Sequence, residues 1–332
     1  MIVRWGLESL PGLLEELSVR DPLLISTDRW RGFAIPVPRG FYGARSHAEV
    51  TGVREALAVL NAPPTHPTPT HPDGLVALGG GSAIDTAKAV SSQTGLPIVS
   101  IPTTYSGAEW TEGFGMRDLE AGIKRRGEGA RTVAIVYEPA LTVGLAPAAS
   151  AGSAMNALTH CAEGLYGAAR TEETDRAAIA GAQLISEWLP RVFENGADLE
   201  ARGQLLAGAM HAGAALRAGM GIGHAMAQAL GGRYGLAHGT MNAVCLAPAL
   251  EFNRQVAGAE IARLGEAMDG RDAVQRVREL AALAGPPRLR DYDVPREDLE
   301  TLAGAIAERG PAKANPRPAP PEAIQQLLEE IW

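Results

Sequence analysis

Residues Leu75 to Lys88 read LVALGGGSAIDTAK. A short apolar run, Leu75 to Leu78, ends in Gly79, Gly80 and Gly81, and Ser82 leads into a helix-forming segment, Ala83 to Val90. The pattern is strand, tight turn, helix N-terminus. Glycines without a Cβ let the backbone turn sharply and approach a ligand. The first N–H groups of the helix then face whatever sits there, and the dipole favours an anion such as a pyrophosphate. The stretch is neither GxGxxG nor a P-loop, since no Gly-Lys-Ser/Thr follows. Taken alone, it reads equally well as a plain glycine turn, so its meaning depends on the rest of the chain.

The surrounding sequence alternates strands with helices. Leu10 to Leu17 reads as helix and Pro22 to Ser26 (PLLIS) as a buried strand. Val50 to Leu60 places Val50, Val53, Leu57 and Leu60 on one helical face. Ala62 to Pro72 (APPTHPTPTHP) is a stiff surface loop, because proline removes donors and restricts its neighbours. Leu75–Leu78, Ile98–Ile101 and Val133–Tyr137 are further strands. This alternation predicts an α/β domain with a parallel sheet and helices on both faces.

From Pro147 strand signals vanish, and alanine and leucine recur at helical spacing. Helices are expected over Ala148–Ala168, Glu172–Phe193, Leu199–Ala218, Gly221–Leu230, Gly239–Asn253, Glu260–Met268, Ala273–Ala284, Arg296–Arg309 and Glu322–Ile331. A length of 332 residues fits two domains: 1–146, α/β and nucleotide-binding, and 147–332, all-α.

The net charge of −8 argues against nucleic acid or a membrane surface as the main partner. Cys161 and Cys245 form no CxxC pair or disulfide framework. The N-terminus, MIVRWGLESLPGLLEEL, is no signal peptide, and no apolar run reaches the length of a membrane span. The expected location is cytoplasmic.

Asn156 and His160 are four residues apart and share a face of one predicted helix. His224 lies on a second. His238 follows a glycine turn, Gly231-Gly232, and opens the next. Three imidazoles and one oxygen donor suit iron, zinc or a similar divalent ion. Such an ion would polarise a carbonyl or stabilise an alkoxide as hydride moves. Each histidine alone reads as a hydrogen-bonded core or turn residue; the set, with an anion-binding turn upstream, reads as a site.

GGGSAIDTAK, IPTTYSGAEWT, MNALTHCAEGLY, GIGHAMAQALGG and LAHGTMNAVCLAP, in this order, resemble the iron-containing (group III) alcohol dehydrogenase superfamily. PTTYSGAE, IVYEP, the asparagine of MNALTH, AEGLY and NPRP resemble its maleylacetate reductase branch. The resemblance runs from Val3 to Trp332. It implies the dehydroquinate synthase-like fold, a nucleotide-binding α/β domain and a helical domain with the active site in the cleft between, and a homodimer. Gly80, Gly81 and Ser82 would hold the NAD(P) pyrophosphate, with Asp85 nearby. Thr103, Thr104 and Ser106 would contact the adenine side and the phosphates, and Lys124 the nicotinamide ribose. Asp28 would accept from the adenine ribose hydroxyls and repel a 2′-phosphate, favouring NADH over NADPH, although Arg29 and Arg31 stand close by. Asn156, His160, His224 and His238 fall on the metal-ligand positions, and the three histidines are the catalytic candidates.

The implied reaction is hydride transfer to a carbonyl or unsaturated keto-acid substrate, here maleylacetate giving 3-oxoadipate. It needs an electrophile at the ketone oxygen and anchors for two carboxylates. Arg217 and Arg233 are candidates by neighbourhood alone. Three departures from the family pattern stand out. Asn156 replaces an aspartate, which removes a charge from the metal site. Gln228 replaces a histidine, which removes an acid–base group. Between Asp28 and His47 the usual crossover helix is missing. The alternatives are a metal-dependent alcohol or aldehyde dehydrogenase, a sugar-phosphate cyclase, for which no basic phosphate site is visible, and a non-catalytic nucleotide-binding relative.

Overall fold

The computed structural model describes residues 1–37, 39–45, 48–62, 71–121 and 123–332, with the backbone alone for Arg39, Ile123 and Lys124. The chain divides into two compact units, Met1–Thr142 and Val143–Trp332. The division falls after Thr142 rather than Ala146. The turn Pro139–Thr142 belongs to the first unit, where Thr142 Oγ1 accepts from Tyr105 Oη at 3.2 Å.

The first unit runs β1 (Ile2–Trp5), α1 (Leu10–Glu16), β2 (Pro22–Ser26), β3 (Arg39–Phe41), α2 (Val50–Asn61), β4 (Gly74–Gly79), α3 (Gly81–Thr94), β5 (Ile98–Pro102), β6 (Phe114–Asp118), β7 (Ile123–Gly127) and β8 (Thr132–Tyr137). Six strands form a sheet in the order β1-β8-β5-β4-β2-β3, with every pairing parallel. β6 and β7 form a separate antiparallel hairpin.

β2, β4 and β5 are buried along their whole length, which is why each is an unbroken apolar run rather than an alternating one. Successive side chains still point to opposite faces. Leu23, Ile25, Leu75, Ala77 and Ile98 pack with Val53 and Ala56 of α2 and Ile84 and Val90 of α3. Leu24, Val76, Leu78, Val99 and Ile101 pack with Leu10, Leu13 and Leu14 of α1. The two faces are therefore covered by different helices, as the alternation required. Among the described residues between β2 and β3 there is only a 3₁₀ turn, Asp28–Trp30, and no α-helix. Most of the proline-rich loop, 63–70, lies outside the described residues.

The second unit is helical: α4 (Pro147–Gly164), α5 (Glu172–Glu194), α6 (Leu199–Ala215), α7 (Ile222–Tyr234), α8 (His238–Ala267), α9 (Ala273–Ala281), α10 (Leu299–Ala307), α11 (Gly310–Lys313) and α12 (Pro321–Glu330). α8 absorbs two expected helices and kinks at Ala257, where φ is −129° and ψ 30°. α4 is buried on nearly every face, which accounts for its small, weakly amphipathic residues. Gly231 and Gly232 lie inside α7 and are not the turn the sequence placed there. The chain reverses instead at Gly235, whose φ of 72° is the left-handed conformation that favours glycine at a helix end. Among the described residues, no helix is long and apolar enough to cross a membrane.

Candidate active site

Gly79 ends β4 with φ +149°, and a Cβ there would meet Ala83 Cβ at 2.8 Å. A Cβ on Gly80 would stand 2.8 Å from Thr104 Cγ2. The glycines thus serve a backbone conformation and a close approach between two loops. Thr103 N–H donates to Gly79 O at 3.0 Å, and Thr104 Oγ1 to Ser106 Oγ at 3.2 Å. The N-cap of α3 is Gly80, which has no side chain to cap it, and this suits the first turn to an anion. Gly80, Gly81, Ser82, Thr104 and Ser106 are all partly accessible.

The chain leaves β2 toward β3 on one side of the sheet and leaves β4 toward β5 on the other. Open parallel sheets bind ligands at the carboxyl edge where strand order reverses in this way. Asp28 follows β2 on that edge. Its exposed carboxylate accepts from Arg31 Nε at 2.7 Å, and the Arg31 guanidinium lies 4.8 Å from the centre of the Tyr42 ring. Asp28 is thus already paired with a cation. The Asp85 carboxylate accepts from Gly115 N–H of β6 at 3.2 Å and lies 3.7 Å from Lys88 Nζ. The Lys124 side chain lies outside the described ones, as do His47 and His66.

Beneath these loops is a charged group that the sequence reading did not single out. Lys88 is fully buried and donates from Nζ to Ala108 O, to Thr111 Oγ1 at 2.7 Å and to Gly113 O at 2.9 Å. Burial lowers its pKa against the opposing pull of Asp85 and Glu109. Glu109 is fully buried too. Burial raises its pKa, and it accepts from Tyr137 Oη at 2.9 Å, which itself accepts from Trp110 Nε1 at 2.8 Å. Tyr105 and Trp110 therefore pack and hydrogen-bond within the first unit.

In the second unit, α4, α7 and α8 bring the four expected residues together. The His160 and His224 rings stack with centroids 4.3 Å apart and 18° between planes, and the His238 ring lies 6.1 Å from that of His224. Asn156 Nδ2 lies 3.3 Å from His160 Nε2. Asn242, unanticipated, joins them: its Nδ2 donates to Asn156 Oδ1 at 2.8 Å and lies 3.1 Å from His238 Nε2. His238 is exposed, whereas Asn156, His160, His224 and Asn242 are buried.

Two further residues hold the start of α7, and Glu163 also holds the His224 ring. Glu163 is buried on α4, with Oε2 2.6 Å from both His224 Nδ1 and Gly221 N, and Oε1 2.8 Å from Gly223 N and 3.2 Å from His224 N. Asn315 Oδ1 accepts from Ile222 N–H at 3.2 Å. Together they satisfy the amides at the start of α7, which would otherwise be orphaned. Glycine at 223 leaves the space, because a Cβ there would meet Glu163 Oε1 at 2.9 Å. A carboxylate on Nδ1 assigns the ring proton to that nitrogen, so Nε2 carries the lone pair. It is buried without a hydrogen-bond partner among the described residues.

Sequence comparison assigns the two parts to one family. The Fe-containing alcohol dehydrogenase family, C-terminal, matches residues 150–332, and iron-containing alcohol dehydrogenase matches residues 35–137. The chain belongs to the iron-containing alcohol dehydrogenase family. A maleylacetate reductase of Burkholderia cepacia is 38% identical over 264 residues, 78% of this chain and 74% of that protein. A maleylacetate reductase of Pseudomonas knackmussii is 34% identical over 340 residues, 98% and 93% of the two chains. The crystal structure of maleylacetate reductase from Rhizobium sp. strain MTP-10005 superposes with a TM-score of 0.89 at 29% identity, covering 100% of this chain and 95% of that one. The protein is an oxidoreductase of this family, in its maleylacetate reductase branch.

For an iron-containing alcohol dehydrogenase, the donor chemistry fits a divalent ion. An orphaned, buried His224 Nε2 backed by a carboxylate on Nδ1 is the arrangement of a ligating imidazole. Asn156 contributes an amide oxygen where a carboxylate would add charge. The fit lies in the donors and not in a preformed cage: among the described residues no three His, Cys, Asp or Glu side chains form a ready-made metal group. Arg233 is paired with Asp298 at 2.9 Å. Burial pushes the free thiols of Cys161 and Cys245 well above the usual range, which removes them as nucleophiles.

Proposed function

We propose that the protein is an NAD(P)H-dependent maleylacetate reductase, which reduces the carbon–carbon double bond conjugated to the ketone and yields 3-oxoadipate. The observation that carries this reading is similarity to maleylacetate reductases over nearly the whole chain. The buried histidine and amide cluster supports it, because the free lone pair of His224 Nε2 suits a divalent ion, whose charge would favour an enolate oxygen.

Gly80, Gly81 and Ser82 bind the pyrophosphate at the start of α3, with Thr103, Thr104 and Ser106 as the facing wall. Asp28 takes the adenosine ribose, and Lys124 the nicotinamide ribose. Because Arg31 already neutralises Asp28, the preference for NADH over NADPH is small. NADH would supply the hydride at the carbon β to the ketone, and a proton from solvent at the α carbon collapses the resulting enolate to 3-oxoadipate. His160 and His238 orient the substrate at its ketone end, and Glu163 holds His224 in the tautomer that leaves the Nε2 lone pair for a cation. With Asn156, these histidines would hold a divalent ion, whose chemistry is to polarise the ketone oxygen. The enzyme acts in the cytoplasm as a homodimer.

The test is loss of NADH absorbance on adding maleylacetate to the purified protein. Rapid oxidation with release of 3-oxoadipate supports the reading, and NADH binding without oxidation refutes it. One observation favours a second reading, a metal-dependent alcohol or aldehyde dehydrogenase: the orphaned His224 Nε2. Alcohol-dependent reduction of NAD that requires added zinc or iron would select it.

A further inference from the structure

We propose that Asp85 and Lys88 are positioning residues of the dinucleotide site, bolting the helix that meets the pyrophosphate to the segment that continues the Thr103–Ser106 loop. This inference rests on the nucleotide reading of Gly79–Ser82.

A lysine ammonium without solvent contact must find compensating oxygens or lose its proton. Lys88 finds three, all on residues 108–113, and two are main-chain carbonyls. It therefore grips the path of the chain rather than a particular side chain. Thr111 Oγ1 lies 3.3 Å from Ala108 O and 3.1 Å from Gly113 O, which curls the segment around the ammonium. Asp85, one turn earlier on α3, takes the next free amide, Gly115 N–H at 3.2 Å, and lies 3.7 Å from Lys88 Nζ. The helix thus holds the segment at residues 108, 111, 113 and 115.

Both ends of that segment lead to parts of the nucleotide site. Upstream is the Thr103–Ser106 loop, whose Thr104 methyl sits where a Cβ on Gly80 would stand 2.8 Å away. Downstream is β6, which pairs with β7 and brings Lys124 opposite Arg117 in the register. Asp85 and Lys88 thus set the spacing between the start of α3, the facing loop and the hairpin. A direct ligand contact through Asp85 is not needed to explain its place in the motif.

The experiment uses the purified full chain and compares Lys88→Met, Asp85→Ala and Asp85→Asn with the original protein. NADH affinity is read by fluorescence titration, and steady-state kinetics are run against both substrates. Lys88→Met and Asp85→Ala are expected to raise the Kd and KM for NADH roughly tenfold, with kcat at saturating NADH and KM for maleylacetate changed less than about twofold. Asp85→Asn keeps an oxygen for Gly115 N–H and is expected to restore NADH affinity to within about twofold of the original. A loss of stability alone would not produce this split or this rescue.

Unchanged NADH affinity in folded Lys88→Met overturns the proposal, as does a loss confined to kcat. If Lys88→Met does not fold, the Asp85 pair decides: equal NADH affinity in Asp85→Ala and the original protein overturns it. An original protein that fails to bind NADH overturns both this inference and the nucleotide reading. One that binds NADH but leaves maleylacetate untouched refutes the substrate and leaves the affinity comparison to judge the bolt.

Discussion

Glu163 ties a helix terminus to an imidazole, so its carboxylate cannot be changed without disturbing both. Glu163→Gln leaves one oxygen for four donors and turns an N–H₂ toward the others. The variant is expected to lose roughly ten- to a hundredfold in kcat, measured by NADH oxidation at saturating substrates. Gly80→Ala tests the other unit. Its new Cβ would push on Thr104 Cγ2, and KM for NADH should rise about tenfold. Adding Thr104→Ser removes the methyl and should recover most of the loss; if the double variant is no better than Gly80→Ala, the close approach is not what that glycine serves. At the proposed metal-ligand position, Asn156→Asp would add a charged oxygen. Zinc should raise the Tm of that variant more than that of the original protein in a thermal shift titration. Asn156 and His160 stand out in the sequence as a pair four residues apart on one helix, whereas the glycine turn before His238 is Gly235 and not Gly231-Gly232. Glu163 carried a local signal that was not used, since it stands one turn beyond His160 on the same helix. Asn242 had the same signal, one turn after His238. Asn315 stands in the NPRP motif but has no local signal for its contact, because it meets Ile222 across 93 residues of chain.

Among the elements, the long periodic helices and the unbroken apolar strands were the readable ones. β2, matched from Pro22 to Ser26, and α5, matched to within a residue, show that burial on both faces and a wide apolar stripe leave plain traces. β1 was missed because its four residues mix Arg4 and Trp5 into an edge strand that is largely exposed. β3, with three residues, is too short to show a period. The β6–β7 hairpin is held by its own ladder, by the Asp118–Arg125 pair between its two strands and by Asp85 from α3, rather than by an alternating hydrophobic pattern. Electrostatics act at this scale too. At the start of α5, burial pushes the Asp175 carboxyl up, but hydrogen bonds from Arg170 at 2.8 Å and Arg263 at 3.0 Å outweigh it and leave its pKa below the ordinary value. A depressed carboxyl stabilises the fold above its unfolded pKa, and that contribution fades as pH falls through the folded one. Asp175→Asn should therefore cost about 1 kcal/mol near neutral pH and progressively less below about pH 4, as read by denaturant melts across pH. A gap that stays constant down to pH 2 or so would rule this pair out as a contributor.

For the molecule as a whole, an acidic chain that acts on a dianionic keto acid works against its own field. With a net charge of −8, screening should help the substrate in. Raising salt from about 10 to 150 mM is expected to increase kcat/KM for maleylacetate modestly; a decrease would mean that a local cationic funnel governs capture. The two-unit architecture and the parallel sheet were legible from composition and period, whereas the boundary at Thr142 depends on a hydroxyl contact from Tyr105 that no period encodes. The shared cap on α7 also orders events in time. Synthesis delivers Glu163 before α7, but Asn315 only 93 residues after Ile222. The start of α7 therefore gains its first clamp from chain already made and its second only when the closing segment is made.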